Sequence, residues 1–118
     1  MLTIVNNYMN IQLEIKDKNN NPINSILIKE NNLYTKTGRE KSILDIFLDN
    51  DIEIFYGCMG GSCGACICDI VEGEEYIDKE KIRTQVYKNV NQKEVLTCIA
   101  GFKENTPKNS KIVIKKKF

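Results

Sequence analysis

The sequence has 118 residues, of which 42% are hydrophobic and 28% charged, and its formal net charge is +1. This size and composition suit one globular domain, and no apolar run approaches the roughly 20 residues that a membrane helix needs. The near-neutral charge favours neither nucleic acid nor a membrane as partner. The chain contains no histidine, which excludes His-based acid–base catalysis, Cys-His nucleophiles and every His-ligated metal site.

The five cysteines are an odd number for such a small chain. A secreted disulfide framework usually has an even number of cysteines. Residues 1–10 contain no basic stretch followed by an apolar run, so we expect no signal peptide and a cytoplasmic location. Metal binding or redox chemistry is therefore the better interpretation of these thiols.

The first half of the chain predicts a hairpin and a helix. Apolar residues alternate with polar ones over residues 11–15, which predicts a half-buried strand. The Asn-Asn-Asn-Pro sequence at 19–22 predicts a turn, and residues 26–28 form the expected return strand. Ser42 is the expected helix N-cap, with Asp45 three residues later. The helix that follows is apolar nearly all round, so we expect it in the core.

The second half predicts strands separated by loops and one short helix. Residues 57–66 form a loop rich in glycine and cysteine, and residues 67–71 a strand. Apolar residues at four-residue spacing predict a short helix over 79–90, and residues 95–99 a strand that carries Cys98. A final strand is expected at 111–115. Together these elements predict an α+β fold in a single domain, 1–118, with residues 1–9 as a short N-terminal extension.

Four cysteines have the spacing of a plant-type [2Fe–2S] site. Cys58, Cys63 and Cys66 form C-x4-C-x2-C, and Cys98 follows on another predicted strand. The Fe2S2 core needs two thiolates on each iron, so one short loop can supply three ligands and a distant segment the fourth. Glycines at 57, 60, 61 and 64 allow the loop backbone to approach the cluster closely. We therefore predict that Cys58, Cys63, Cys66 and Cys98 bind a [2Fe–2S] cluster.

Three other interpretations of the cysteines stay open at this point. A structural zinc site more often has two C-x-x-C pairs, and here there is one. Cys63 and Cys66 also match a thioredoxin-like C-x-x-C, although that motif precedes a helix and here a strand is expected. The third is buried structural thiols. Cys68 is a spare thiol, expected to be a core cysteine and alternatively a substitute ligand or a redox-sensitive group.

At these residues the chain resembles the plant-type [2Fe–2S] ferredoxin family. The matching motifs are S-I-L-D at 42–45, I-E-I-F-Y-G-C at 52–58, G-S-C at 61–63 and V-L-T-C-I-A at 95–100. The resemblance implies a β-grasp (ubiquitin-like) fold, in which a mixed sheet packs on one main helix. It also implies a one-electron carrier with no catalytic residues. Met59, Gly64 and Ala65 differ from photosynthetic members, and the loop is similar to those in ferredoxin domains of flavin and oxygenase reductases.

The resemblance implies a low-potential carrier between a flavoprotein reductase and an acceptor enzyme, and we expect a monomer. A docking surface for the reductase is predicted from seven carboxylates: Asp45, Asp49, Asp51, Asp69, Glu72, Glu74 and Glu75. An electron-transfer subunit of a multicomponent oxidoreductase is the alternative, and a β-grasp binding module without redox chemistry is a third. The sequence contains no G-x-G-x-x-G motif opening a helix, so a reductase partner would be a separate chain.

Overall fold

The computed structural model describes residues 10–53, 66–82, 91–103, 106–107 and 109–117. The described part contains one α-helix, α1 (Ile43–Asp49), and two 3-10 helices (Glu30–Leu33 and Glu74–Tyr76). Its strands are β1 (Asn10–Lys16), β2 (Pro22–Lys29), β3 (Ile67–Glu72), β4 (Ile77–Asp78), β5 (Glu94–Leu96), β6 (Gly101–Phe102) and β7 (Ser110–Lys116). The α+β prediction is confirmed.

Five of the described strands form one mixed sheet in the order β2-β1-β7-β3-β5. β1 and β7 run parallel, from the pair Ile11–Ser110 onwards, and the other neighbours are antiparallel. β4 and β6 pair separately. The alternation predicted for β1 is present, because Ile11, Leu13 and Ile15 are fully buried while Gln12 is exposed. In this strand order β7, the last described strand of the chain, lies in the centre of the sheet.

The predicted turn between β1 and β2 is built around Asp17. Its Oδ1 atom accepts hydrogen bonds from the backbone N–H groups of Asn19 and Asn21, both at 2.9 Å. The bond from Asn21, followed by that from Asn19, holds the pKa of Asp17 below its usual value. Asn20 has a φ of 71°, a left-handed conformation that asparagine tolerates better than most residues.

Helix α1 begins with the predicted cap. The Asp45 N–H donates to Ser42 Oγ and the Ser42 N–H donates to Asp45 Oδ2, both at 3.0 Å. This reciprocal capping box satisfies two amides at the start of the helix. The helix buries four apolar side chains, Ile43, Leu44, Ile46 and Phe47. Its fifth apolar residue, Leu48, remains 37% exposed.

Two predicted elements differ in the structure. β5 ends at Leu96, and the expected strand 95–99 becomes a turn in which the Ile99 and Ala100 N–H groups both donate to the Leu96 carbonyl at 3.2 Å. The N–H and the hydroxyl of Thr97, the first residue of this turn, both donate to the Cys66 carbonyl. Residues 79–82 form a turn rather than the start of the predicted helix, and residues 83–90 lie outside the described part of the chain.

The buried apolar residues form two clusters. The larger one lies between the sheet and α1 and includes Ile11, Phe47 and Ile112. The smaller one consists of Leu44, Cys66, Leu96, Cys98 and Ile99, with Ile67 packed against it. Helix α1 contributes to both, so it links the core to the cysteine region. Within the described ranges, no helix has the length and apolar character needed to cross a membrane.

Candidate metal centre

Cys66 and Cys98, two of the four predicted ligands, lie side by side. Cys66 immediately precedes β3, and Cys98 lies in the turn that follows β5. Their Sγ atoms are 3.0 Å apart, both residues are free thiols, and they are only 1% and 6% exposed. The structure thus brings together residues that are 32 positions apart in the sequence.

Thr97 holds the two cysteine segments together. Its hydroxyl donates to the Cys66 carbonyl at 2.9 Å, and its N–H donates to the same oxygen at 3.3 Å. Its own carbonyl accepts a hydrogen bond from the Leu44 N–H at 2.9 Å. A fully buried threonine with every backbone group used in this way fixes the position of Cys98. The sequence alone gives no signal for this role beyond the position of Thr97 in the V-L-T-C motif.

The first turn of α1 supports the same region. The N–H groups of Ile43 and Leu44 donate to the carbonyls of Ala100 and Thr97, each at 2.9 Å. These N–H groups belong to the first turn of the helix and have no partner within it. The turn that carries Cys98 therefore docks on the start of α1, directly beside the Ser42 cap.

The electrostatics of the pair favour metal binding. The hydrogen bond between the Cys66 and Cys98 thiols lowers the pKa of Cys66, despite the opposing effect of burial. The thiolate is the form of cysteine that binds metals. Two adjacent sulfur donors in an apolar, water-poor environment are typical of sites for soft-ligand metals and iron–sulfur clusters. The donor set of Cys66 and Cys98 thus fits half of a [2Fe–2S] ligand set.

The other two predicted ligands, Cys58 and Cys63, lie outside the described residues, as do Met59 and the loop glycines at 57, 60, 61 and 64. The described residues alone contain no group of three or more His, Cys, Asp or Glu side chains placed to hold a metal ion. The complete ligand set therefore remains a prediction.

Cys68 occupies a different environment from that of Cys66 and Cys98. It lies on β3, is 1% exposed and belongs to the larger core cluster rather than to that of Cys66 and Cys98. Burial raises its pKa to about 12, with a smaller contribution from the nearby Cys66. A thiol held neutral in the core is a poor nucleophile and a poor metal ligand. These features support its interpretation as a core cysteine.

Four of the seven carboxylates in the predicted docking surface are paired with cations of the chain itself. Asp49 contacts Lys41 at 2.5 Å, and Asp69 contacts Lys117 at 2.8 Å. The other two pairs are Asp45 with Arg39 at 3.8 Å and Glu74 with Lys93. The negative charge available to attract a basic reductase is therefore smaller than the sequence suggests.

Comparison with known protein families agrees with this geometry. A model of the 2Fe-2S iron-sulfur cluster binding domain matches residues 29–102, which is more than half of the chain and includes all four predicted ligands. The chain belongs to this family. The family match confirms the predictions of a plant-type ferredoxin-like family, of a [2Fe–2S] cofactor and of an electron-transfer role for the matched domain.

Curated relatives of the domain are longer reductase components. A CDP-6-deoxy-L-threo-D-glycero-4-hexulose-3-dehydrase reductase of Yersinia pestis is 32% identical over 73 residues, covering 62% of this chain and 21% of the relative. The ferredoxin--NAD(P)(+) reductase component of the naphthalene 1,2-dioxygenase/salicylate 5-hydroxylase systems of Ralstonia sp is 31% identical over 48 residues, covering 41% and 15%. The matched segments thus span about a fifth or less of the length of these relatives.

Solved structures share the fold. In the complex of Pseudomonas putida CBB5 NdmA with the ferredoxin domain of NdmD, 98% of the matched chain and 88% of this chain align with a TM-score of 0.54 and 20% identity. Phthalate dioxygenase reductase aligns over 27% of its chain and 91% of this one, with a TM-score of 0.52 and 19% identity. With the family match, these similarities confirm the β-grasp fold.

Proposed function

We propose that the thiolates of Cys58, Cys63, Cys66 and Cys98 hold the [2Fe–2S] cluster and that the chain carries single electrons at low potential. The electrons would pass from a flavoprotein reductase to an acceptor enzyme. The observation that supports this most directly is the 3.0 Å contact between the buried Cys66 and Cys98 sulfurs. Their position within the matched family domain adds to this support.

The residues around the two sulfurs suit a low-potential carrier. A bound [2Fe–2S] cluster alternates between two states that differ by one electron. Leu44, Leu96 and Ile99 surround the two cysteines and exclude water. Additional negative charge is costly in such an apolar environment, which lowers the reduction potential. Thr97 keeps the segments of Cys66 and Cys98 together, so little rearrangement is needed when the charge changes.

A second candidate is an electron-transfer component that works only within a multicomponent oxidoreductase. The names of the curated relatives support it, because they are reductases or reductase components that are much longer than the matched segments. The second candidate is also favoured by the ion pairs that lysine and arginine side chains of this chain make with Asp45, Asp49, Asp69 and Glu74. A carrier that exchanges partners relies on charge steering more than a component of a stable complex does.

The first experiment is a visible absorption spectrum of protein purified without air, before and after dithionite. Sulfide- and thiolate-to-iron bands that bleach partly, with one electron taken up per chain, are the expected result. A colourless protein after reconstitution with iron and sulfide would contradict the proposal.

Separating the two candidates requires a partner. A free carrier should elute as a monomer and be reduced by a flavoprotein reductase at a rate that falls as salt rises. A dedicated component should instead copurify with flavoprotein subunits, and its reduction should be insensitive to salt.

A further inference from the structure

Lys117, the residue after β7, lies between two carboxylates. Its Nζ atom is 2.8 Å from Asp69 Oδ1 and 3.0 Å from Glu94 Oε2. The three side chains are only 28%, 36% and 18% exposed. The bonds to Asp69 and then Glu94 raise the pKa of Lys117, which keeps the ammonium group charged.

This ion triad connects three strands. Asp69 is on β3 and Glu94 on β5, whereas Lys117 follows β7, which neighbours β3 but not β5. Its ammonium group therefore reaches across β3 to the edge strand. In Glu94, the other carboxylate oxygen accepts the Asn91 N–H at 2.9 Å, so this side chain is held from both sides.

The pairing of β3 with β5 needs such a contact. It consists of three register pairs, and the one farthest from the cysteines joins Asp69 to Glu94. Two like charges directly opposite each other weaken a strand pair. The Lys117 ammonium group neutralises this repulsion and converts the pair into an attraction that includes β7.

The opposite end of the same strand pair carries the candidate ligands. Ile67 pairs with Leu96, Cys66 immediately precedes Ile67, and Cys98 follows Leu96 by two residues. We propose that Lys117 is a positioning residue for the [2Fe–2S] cluster. It fastens β3 to β5 and thereby maintains the spacing of the Cys66 and Cys98 sulfurs. This inference rests on the proposed assignment of these two cysteines as ligands.

The test is the rate at which the holoprotein loses its cluster to an iron chelator, followed by visible absorbance. Lys117→Met should release the cluster roughly three- to tenfold faster than wild type, the range expected for the loss of two partly buried ion pairs. Lys117→Arg keeps both pairs and should restore a rate close to that of wild type. Near 1 M salt, the rates of wild type and Lys117→Met should converge because the pairs are screened.

Lys111→Met is the matched control. It removes the same charge from β7, the strand that Lys117 follows, and breaks the ion pair between Lys111 and Glu14, which joins β7 to β1 on the side away from the cysteines. Its release rate should equal that of wild type. The inference is overturned if Lys117→Met releases its cluster no faster than Lys111→Met, or if Lys117→Arg fails to restore the rate.

Three further variants complete the test. If Lys117→Met does not assemble a cluster, Lys117→Gln is compared with Lys111→Gln in the same assay and under the same criteria. Cys98→Ser, measured in parallel, tests the ligand assignment independently. A normal cluster in Cys98→Ser refutes the assignment and the inference with it. Loss of the cluster in Cys98→Ser, together with a wild-type rate in Lys117→Met, refutes only the role of Lys117.

Discussion

At the residue scale, Cys68 and Cys98 are the same side chain in two different environments. Both are buried, but Cys98 contacts the Cys66 sulfur, whereas Cys68 packs with the apolar residues between the sheet and α1. The difference arises from their positions along the chain: Cys66 and Cys98 lie just outside the paired strands β3 and β5, whereas Cys68 lies within β3 on the same buried face as Ile70. Sequence spacing predicts the ligand set from its chemistry, and the structure separates the spare thiol from Cys66 and Cys98 by its location.

We expect serine substitutions at the two positions to have opposite consequences. Cys98→Ser should reduce the cluster content per chain by more than roughly tenfold, because a hydroxyl is a poorer ligand for iron than a thiolate. Cys68→Ser should cost about 1–3 kcal/mol of unfolding free energy, since it buries a hydroxyl in an apolar site, but should keep one cluster per chain. Iron and sulfide analysis measures the cluster content of each variant, and urea unfolding measures its unfolding free energy. If Cys68→Ser lost the cluster and Cys98→Ser kept it, Cys68 and not Cys98 would be the fourth ligand.

At the scale of elements, two glycines with nearly the same backbone conformation differ in their surroundings. Gly38 and Gly73 have φ angles of 87° and 86°. A Cβ atom at Gly38 would meet nothing within 4 Å, whereas one at Gly73 would lie 2.5 Å from the Lys111 carbonyl oxygen. Gly73 connects β3 to the 3-10 helix Glu74–Tyr76 and passes directly against β7.

Alanine at these glycines should therefore separate conformational strain from steric conflict. Gly38→Ala should lower the unfolding free energy by about 1 kcal/mol, the cost of a left-handed conformation for a residue with a Cβ atom. Gly73→Ala should cost about 3 kcal/mol or more, because the backbone of β7 must also move. Urea unfolding of both variants provides the comparison. Equal losses of stability in the two variants would show that β7 can move away from the added Cβ atom at no cost in free energy.

The elements that local sequence predicts well are those stabilised by local contacts. The Ser42–Asp45 capping box and the Asp17 turn both involve residues at most four positions apart, and both were predicted at the correct place. The strand expected at 95–99 was wrong beyond Leu96, because residues 97–99 form a turn in which Cys98 meets Cys66, a residue 32 positions away. A long-range contact of this kind leaves no periodic pattern in the sequence.

The candidate site shows the same division. Cysteine spacing alone predicted that Cys66 and Cys98 would meet, because a shared cluster requires it. The ion triad was not predicted, since the local sequence around Lys117 contains no signal for either of its partners. Lys117 bonds to both Asp69 and Glu94. Only the strand order places it there, and that order depends on which distant strands pair.

At the scale of the whole molecule, stability depends on β7. It lies between β1 and β3 in the sheet, and its residues Ile112 and Ile114 are fully buried. Because β1 and β7 pair in parallel across nearly the whole described chain, from Ile11 with Ser110 to Lys16 with Lys115, we expect folding to be slow for a domain of this size.

A cavity in β7 should therefore affect the whole domain. Ile112→Ala should lower the unfolding free energy by about 2–5 kcal/mol, as buried isoleucine truncations do, and the cluster absorbance should disappear in the same urea transition as the secondary structure. Val71→Ala removes a β3 side chain that is 45% exposed and should cost less than about 0.5 kcal/mol. Separate transitions for absorbance and circular dichroism in Ile112→Ala would show that the metal centre folds independently of β7.

The central position of β7 also has a consequence during protein synthesis. Every cysteine of the chain has been translated by residue 98, yet the strand that completes the sheet begins only at Ser110. On the ribosome, the thiols can therefore meet iron and oxidants before β7 can join β1 and β3. Because β7 lies between β1 and β3, we expect stable insertion of the cluster only after residues 110–117 have left the exit tunnel.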